Sequence, residues 1–245
     1  MEGFTEFLPV SSTGHLILTA HALGITQTGF VKSFEIIIQL GAILAVVIIY
    51  WKTLLNKKIW PQILIAFIPS AVVGFILYKF IKEVLIGNSA VTVLALLIGG
   101  IAFILIELWH RNKKYEGGGI EQISHNKAFV IGLFQSVSVI PGVSRAGSTI
   151  LGALILGVNR KTAAEFSFIL AVPTILGATA LDIFETRLSF SVNELILLTI
   201  GFVASFIFAF ISVKWLIKYL QNHSFIAFGI YRIAVAIIFY IFFLR

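Results

Sequence analysis

Residues 1–24 read MEGFTEFLPVSSTGHLILTAHALG, and residues 127–158 read KAFVIGLFQSVSVIPGVSRAGSTILGALILGV. Each stretch is apolar at its flanks and broken in the middle by Pro, Gly and Ser, at Pro9–Gly14 and at Pro141–Gly147. A break of that kind cannot face lipid, because unpaired backbone N–H and C=O groups cost several kcal/mol in hydrocarbon. Irregular backbone persists at membrane depth only inside protein or beside a water-filled cavity. Both stretches therefore read as re-entrant helix–loop–helix elements.

Outward from these two elements, the chain is a series of apolar runs at 33–51, 61–80, 90–109, 162–184, 193–213 and 225–244. Each is long enough to cross about 30 Å of hydrocarbon as a helix. Of the 245 residues, 59% are hydrophobic and 12% charged, and the mean hydropathy is +1.03. Soluble domains carry about 25% charged residues, so a water-soluble globule is excluded. The expected fold is all-α and polytopic, with six transmembrane helices and two re-entrant elements. No cysteine is present, which removes disulfides and thiolate chemistry. Residues 1–24 lack a basic n-region and carry Glu2 and Glu6 instead, so they do not read as a signal peptide.

The two breaks resemble each other. Val10-Ser11-Ser12-Thr13-Gly14 aligns with Val143-Ser144-Arg145-Ala146-Gly147, each has a proline just upstream, and three spans follow each. An odd number of spans per unit inverts the second copy relative to the first. The chain therefore reads as one membrane domain over 1–245, made of repeat one at 1–109, a polar linker at 110–126 and repeat two at 127–245. The net charge of +7 does not imply nucleic acid, because the basic residues sit in short loops between spans. Lys52, Lys57, Lys58, Arg111, Lys113, Lys114, Lys127, Arg160, Lys161, Lys214 and Lys218 fall on one side of the bilayer. Lys32, Lys79, Lys82, Arg187 and Arg245 fall on the other. The positive-inside rule makes the first side cytoplasmic and turns the first re-entrant element outward.

Charges inside a bilayer are costly and need a partner or a function. Glu2 and Glu6 are four residues apart, so a helix places both carboxylates on one face. Two hard oxygen ligands at that spacing suit Mg²⁺ or Ca²⁺, particularly with substrate phosphates completing the shell. Ser11 or Ser12 can cap the helix after Pro9, and Ser144 opens the matching helix in the second repeat. Two such N-termini, with their free N–H groups and positive dipole ends, make an anion site. Arg145 adds a planar fork that matches phosphate. His15 follows Ser12 by one helical turn and is a candidate general acid or base. Glu35, Gln39, Glu165, Asp182 and Arg232 are expected to pair with one another and hold helices together.

Residues 2–15, EGFTEFLPVSSTGH, and 141–150, PGVSRAGSTI, resemble the two signature motifs of the bacterial undecaprenyl-pyrophosphate phosphatase family, the bacitracin-resistance phosphatases. SFEIIIQLGAILAV at 33–46 and EFSFILAVPTILGATALD at 165–182 are similar to that family as well, so the resemblance covers nearly the whole chain. It implies metal-dependent hydrolysis of undecaprenyl pyrophosphate to the monophosphate carrier of cell-wall synthesis, in a multi-pass protein of the bacterial inner membrane whose site faces outward. By resemblance the metal positions are Glu2 and Glu6, and the catalytic positions are Ser12, His15, Glu6 and Arg145. Ser11, Thr13 and Ser144, with Arg145, are the substrate contacts. Either His15 or Glu6 can take the proton of Ser12, and direct attack by water stays open. The expected partners are the isoprenyl pyrophosphate and bilayer lipid; nucleic acid is not expected, and a homodimer is allowed but not specified. Family members carry an apolar stretch before the first acidic position, whereas here Met1 directly precedes Glu2. The expectation is either that the sequence begins late, which is the preferred reading, or that the first element is short and activity is reduced. The competing class is a transporter, which would use the anion pocket but has no need of the serine–histidine pair.

Overall fold

The computed structural model describes residues 1–110, 118–186 and 190–245. The middle of the expected linker, 111–117, and Arg187 lie outside the described residues. Twelve α-helices follow in chain order: α1 Glu2–Thr5, α2 Ser12–Ala22, α3 Gly29–Ile37, α4 Gln39–Ile49, α5 Trp51–Leu54, α6 Trp60–Phe80, α7 Ser89–His110, α8 His125–Ser136, α9 Arg145–Ile155, α10 Arg160–Thr186, α11 Val192–Tyr219 and α12 Ile226–Phe239. Among the described residues there is no β-strand.

Among the described residues six segments are long and apolar enough to cross a membrane: Gly29–Ile49, Lys57–Leu85, Ser89–Trp109, Arg160–Glu185, Val192–Tyr219 and Ile226–Leu244. They coincide with the six expected spans and run longer at several ends. Local chemistry accounts for the extra turns. Thr28 caps α3 by accepting from Val31 N at 3.2 Å, and Ser191 and Glu194 close a capping box at the start of α11. A π-helical turn at Ile81–Leu85 extends the second span.

Helices in lipid gain nothing from burying apolar surface against one another, so close packing of small residues joins them. Gly41 of α4 lies against the Phe202 carbonyl of α11, and Gly132 of α8 against the Ala66 carbonyl of α6. Gly100 of α7 meets Gly229 of α12, where a Cβ on either would come within 2.7 Å of the other's carbonyl oxygen. Large apolar side chains such as Ile98, Leu105, Ile200, Phe208 and Ile238 stay exposed along these spans, as a lipid-facing surface requires.

The two broken segments are helix–break–helix units, α1 with α2 and α8 with α9. Their breaks meet level with the interior of α7, where the carbonyls of Ala95 and Leu96 share one arginine with those of Pro9, Gly142 and Val143. That level is about 10 Å along α7 from its Ser89 end, at 1.5 Å of rise per residue. Around the breaks, Phe7 is fully buried and packs edge-on against Phe168 of α10, with ring centroids 5.4 Å apart.

The expected pairing among intramembrane polar residues is not what the structure contains. Asp182 pairs with Lys82, and Glu35 accepts from Gln27 at 3.2 Å. Gln39 reaches Glu35 only through its backbone carbonyl, at 3.3 Å. Arg232 bonds to backbone carbonyls alone. Sequence distance from a span end does not say which neighbouring helix a side chain will face, and the partners came from turns and loops that the pattern of apolar runs does not pair.

Candidate active site

The chain passes each break in the same way. Ser11 has φ 72° and Ser144 φ 77°, a region that non-glycine residues occupy at a cost of about 1–3 kcal/mol and that clusters at functional sites. Each of these serines caps the helix that follows. Ser11 Oγ accepts from Gly14 N at 3.2 Å, and Ser144 Oγ accepts from Gly147 N at 3.0 Å. The capped turns leave the N–H groups of Ser12 and Thr13, and those of Arg145 and Ala146, without intrahelical acceptors. Ser12 and Arg145 hold the same position, the first residue of α2 and of α9.

Glu6 joins the two. Its Oε1 accepts from Arg145 Nη2 at 2.6 Å, and its Oε2 accepts a short hydrogen bond from Ser12 Oγ. Arg145 Nη1 donates to the Ser167 carbonyl at 2.9 Å, and its guanidinium lies over the Phe7 ring, 5.6 Å from the centroid. The guanidinium is thus fixed on three sides, and its Nε is buried without a partner.

Glu6, Ser11, Ser12, Thr13, Ser144 and Arg145 form the polar end of a cavity of about 450 Å³. The cavity then runs between Phe67, Phe75, Ile140, Ile175 and Leu181 to a rim that carries Lys32, Tyr78 and Lys82. Lys82 is fastened there by Asp182, by Ser33 Oγ at 3.2 Å and by Tyr78 OH at 3.3 Å. A polar, N–H-rich floor under walls that are mostly apolar, with Glu35, Gln39, Ser70 and Thr174 among them, matches an amphiphile with an anionic head and a hydrocarbon tail. Spacing along the chain gave no sign of the rim, because Lys32, Lys82 and Asp182 are far apart in sequence.

Two expected site residues sit elsewhere. Glu2 is buried beside Glu6 and is not among the residues that line the cavity, and among the described residues neither of its carboxylate oxygens has a hydrogen-bond partner. A buried carboxylate in that state calls for a cation or a shared proton. Glu2 and Glu6 are therefore the residues that fit a divalent ion. Among the described residues no third His, Cys, Asp or Glu joins them in a cluster, so further ligands would have to come from phosphate oxygens or water. His15 does not face Ser12. Its Nδ1 is 2.8 Å from the Ser11 carbonyl and its Nε2 is 2.8 Å from Tyr231 OH, so both ring nitrogens are occupied outside the cavity. One helical turn brings positions 12 and 15 near each other, but the rotamer follows the tyrosine of α12, which the sequence gave no reason to expect there.

Residues 1–238 match the bacitracin resistance protein BacA family. The chain belongs to that family. Relatives named undecaprenyl-diphosphatase include one from Aquifex aeolicus, 53% identical over 245 residues, covering 100% of this chain and 95% of the relative. One from Sulfurihydrogenibium sp. is 52% identical over 241 residues, covering 98% of this chain and 95% of the relative. One from Campylobacter jejuni is 48% identical over 242 residues, covering 98% and 90%. Both motif segments that form the cavity floor lie inside the residues matched by the family, 1–238.

Proposed function

We propose that this chain is a membrane-embedded undecaprenyl-diphosphatase, which removes the terminal phosphate of undecaprenyl pyrophosphate to leave the monophosphate lipid and inorganic phosphate. The relatives carry that activity in their names, and the cavity has the matching polarity: an anion-binding floor and an apolar aisle. The observation that carries the mechanism is the chain of contacts from Ser12 Oγ through the Glu6 carboxylate to Arg145.

The pyrophosphate head enters over the two helix N-termini, where backbone N–H groups and the Arg145 guanidinium receive its oxygens. Glu6 takes the proton of Ser12, and the Ser12 oxygen attacks the terminal phosphorus. The bond to the bridging oxygen breaks, its electron pair leaves with the lipid monophosphate, and Glu6 passes the Ser12 proton to that leaving oxygen. Water then attacks the phosphoserine; Glu6, a carboxylate again, takes its proton and hands it to the Ser12 oxygen as the ester bond breaks, which releases inorganic phosphate and the free serine. Charge that builds on the transferring phosphoryl group is met by donors already in place, which is where most of the acceleration in such sites arises. His15 holds the Ser11 carbonyl and keeps the strained cap in register. Glu2 and Glu6 would hold Mg²⁺ or Ca²⁺, which would supply positive charge against the pyrophosphate. We further read both broken units as re-entrant, and the cavity rim as external, because Lys32 and Lys82 belong to the side with fewer basic residues.

The test is phosphate release from C55 and C15 isoprenyl pyrophosphates by the purified chain in detergent, with Mg²⁺, with Ca²⁺ and with chelator. Release that chelator abolishes is expected. Ser12→Ala should lose roughly 10²–10⁴-fold in kcat, the scale of positioned proton-transfer catalysis, while still binding substrate. Full turnover by Ser12→Ala would overturn the serine mechanism, and no release by the unmodified chain would overturn the hydrolase reading.

A further inference from the structure

Arg232 lies in the middle of α12 and is fully buried. A guanidinium has five N–H donors, and here each one has a backbone carbonyl. Nε donates to Leu96 O at 3.4 Å. Nη1 donates to Pro9 O at 3.1 Å and to Val143 O at 3.0 Å. Nη2 donates to Ala95 O at 3.1 Å and to Gly142 O at 2.8 Å. Among the described residues no carboxylate pairs with it; the guanidinium also lies over the Phe103 ring, 5.9 Å from the centroid.

The five acceptors are not a random set. Two belong to α7, one to the first break and two to the second. Nη1 alone spans both breaks, so one nitrogen fixes the Pro9 carbonyl relative to the Val143 carbonyl. In a trans peptide the carbonyl and the following N–H point in opposite directions. With the Val143 oxygen drawn toward Arg232, the N–H of Ser144 is turned the other way, and Ser144 lines the cavity. The space for the guanidinium is made by Gly99, where a Cβ would collide with Arg232 Nη2.

We propose that Arg232 is a positioning residue for catalysis: it clamps the two breaks to each other and to α7, and so sets Ser12 and Arg145 in register across the cavity. This rests on the hydrolase reading above. Lysine cannot replace the clamp. It carries three donors on one nitrogen, too few for five carbonyls and with no fork to reach both breaks, although it keeps the charge.

The experiment measures kcat and KM for C15 isoprenyl pyrophosphate with purified Arg232→Lys, Arg145→Lys and the double variant, alongside thermal unfolding in detergent. A misregister on the scale of 1 Å costs about 10²-fold, so Arg232→Lys should lose about 100-fold in kcat with KM little changed and with most of the protein folded. Because Arg232 acts through the placement of Arg145 and Ser12, its loss should matter far less once Arg145 is already lysine, a non-additivity that plain destabilisation would not produce. If Arg232→Lys does not fold, Gly99→Ala, whose Cβ displaces the guanidinium while its charge and five donors are kept, carries the same expectation. Losses that multiply in the double variant, or a kcat close to that of the unmodified chain, would overturn the proposal. Absence of hydrolysis in the unmodified chain would instead count against the hydrolase reading.

Discussion

The first break and the second break have nearly the same backbone and different chemistry. Ser11 and Ser144 share the left-handed φ, and each caps its helix through the glycine three residues on. The next residue is a hydroxyl in one break and a guanidinium in the other, Ser12 and Arg145, and the residue three beyond is His15 in one and Ser148 in the other. Ser148 only bonds back to the carbonyls of Ser144 and Arg145, whereas His15 reaches another helix at Tyr231. In the proposed mechanism, what is repeated would bind an anion by its main chain. What differs would supply a nucleophile on one side and a charge clamp on the other, with Glu6 of the first unit, which contacts both, serving both.

The largest effect should come from cutting the link between the two units. Glu6→Gln keeps the shape but removes the base for Ser12 and the charge facing Arg145, and kcat should fall by about 10³–10⁴-fold, at the upper end of general-base losses. Activity within tenfold of the unmodified chain in the phosphate-release assay would mean that the two units do not work through Glu6. Next in size is Arg145→Lys, which preserves charge and loses the fork. A loss of roughly 10²–10³-fold is expected, as for removal of one donor to a developing anion, and single-turnover kinetics should place it in the chemical step. A defect confined to KM would make Arg145 a binding residue only.

The smallest effect addresses what the breaks have in common. Ser11→Ala and Ser144→Ala should each cost about 1 kcal/mol of stability, the ordinary worth of a cap. Ser11→Gly and Ser144→Gly should cost less, because glycine relieves the left-handed backbone. Thermal unfolding of the four variants gives the comparison. Matching pairs would confirm that the breaks are equivalent as scaffolds, and a large inequality would show that the similarity ends at the dihedral angles.

Several parts of this molecule were legible in the sequence. The length of apolar runs locates the spans to within about six residues at each end, because hydrocarbon thickness and helical rise are fixed quantities. The Pro–Ser–Gly breaks announced irregular backbone, and a serine before a glycine-containing helix start announced a cap. Glu6, Ser12 and Arg145 were marked as polar residues in apolar surroundings, and the fold brings them together. His15 and Glu2 were marked on the same grounds and lie outside the cavity, since polarity signals that a residue has a partner without saying which.

The sequence alone therefore determined the six spans, the two breaks and the residue types available for chemistry, all of which follow from local rules of burial and backbone hydrogen bonding. The tertiary structure decided which groups meet. Arg232 and Pro9 are more than two hundred positions apart in the chain, as are His15 and Tyr231, and only the packing of α12 against α7 across Gly100 and Gly229 brings them to the breaks. Contacts of that range depend on interhelical geometry, which no short window of residues encodes.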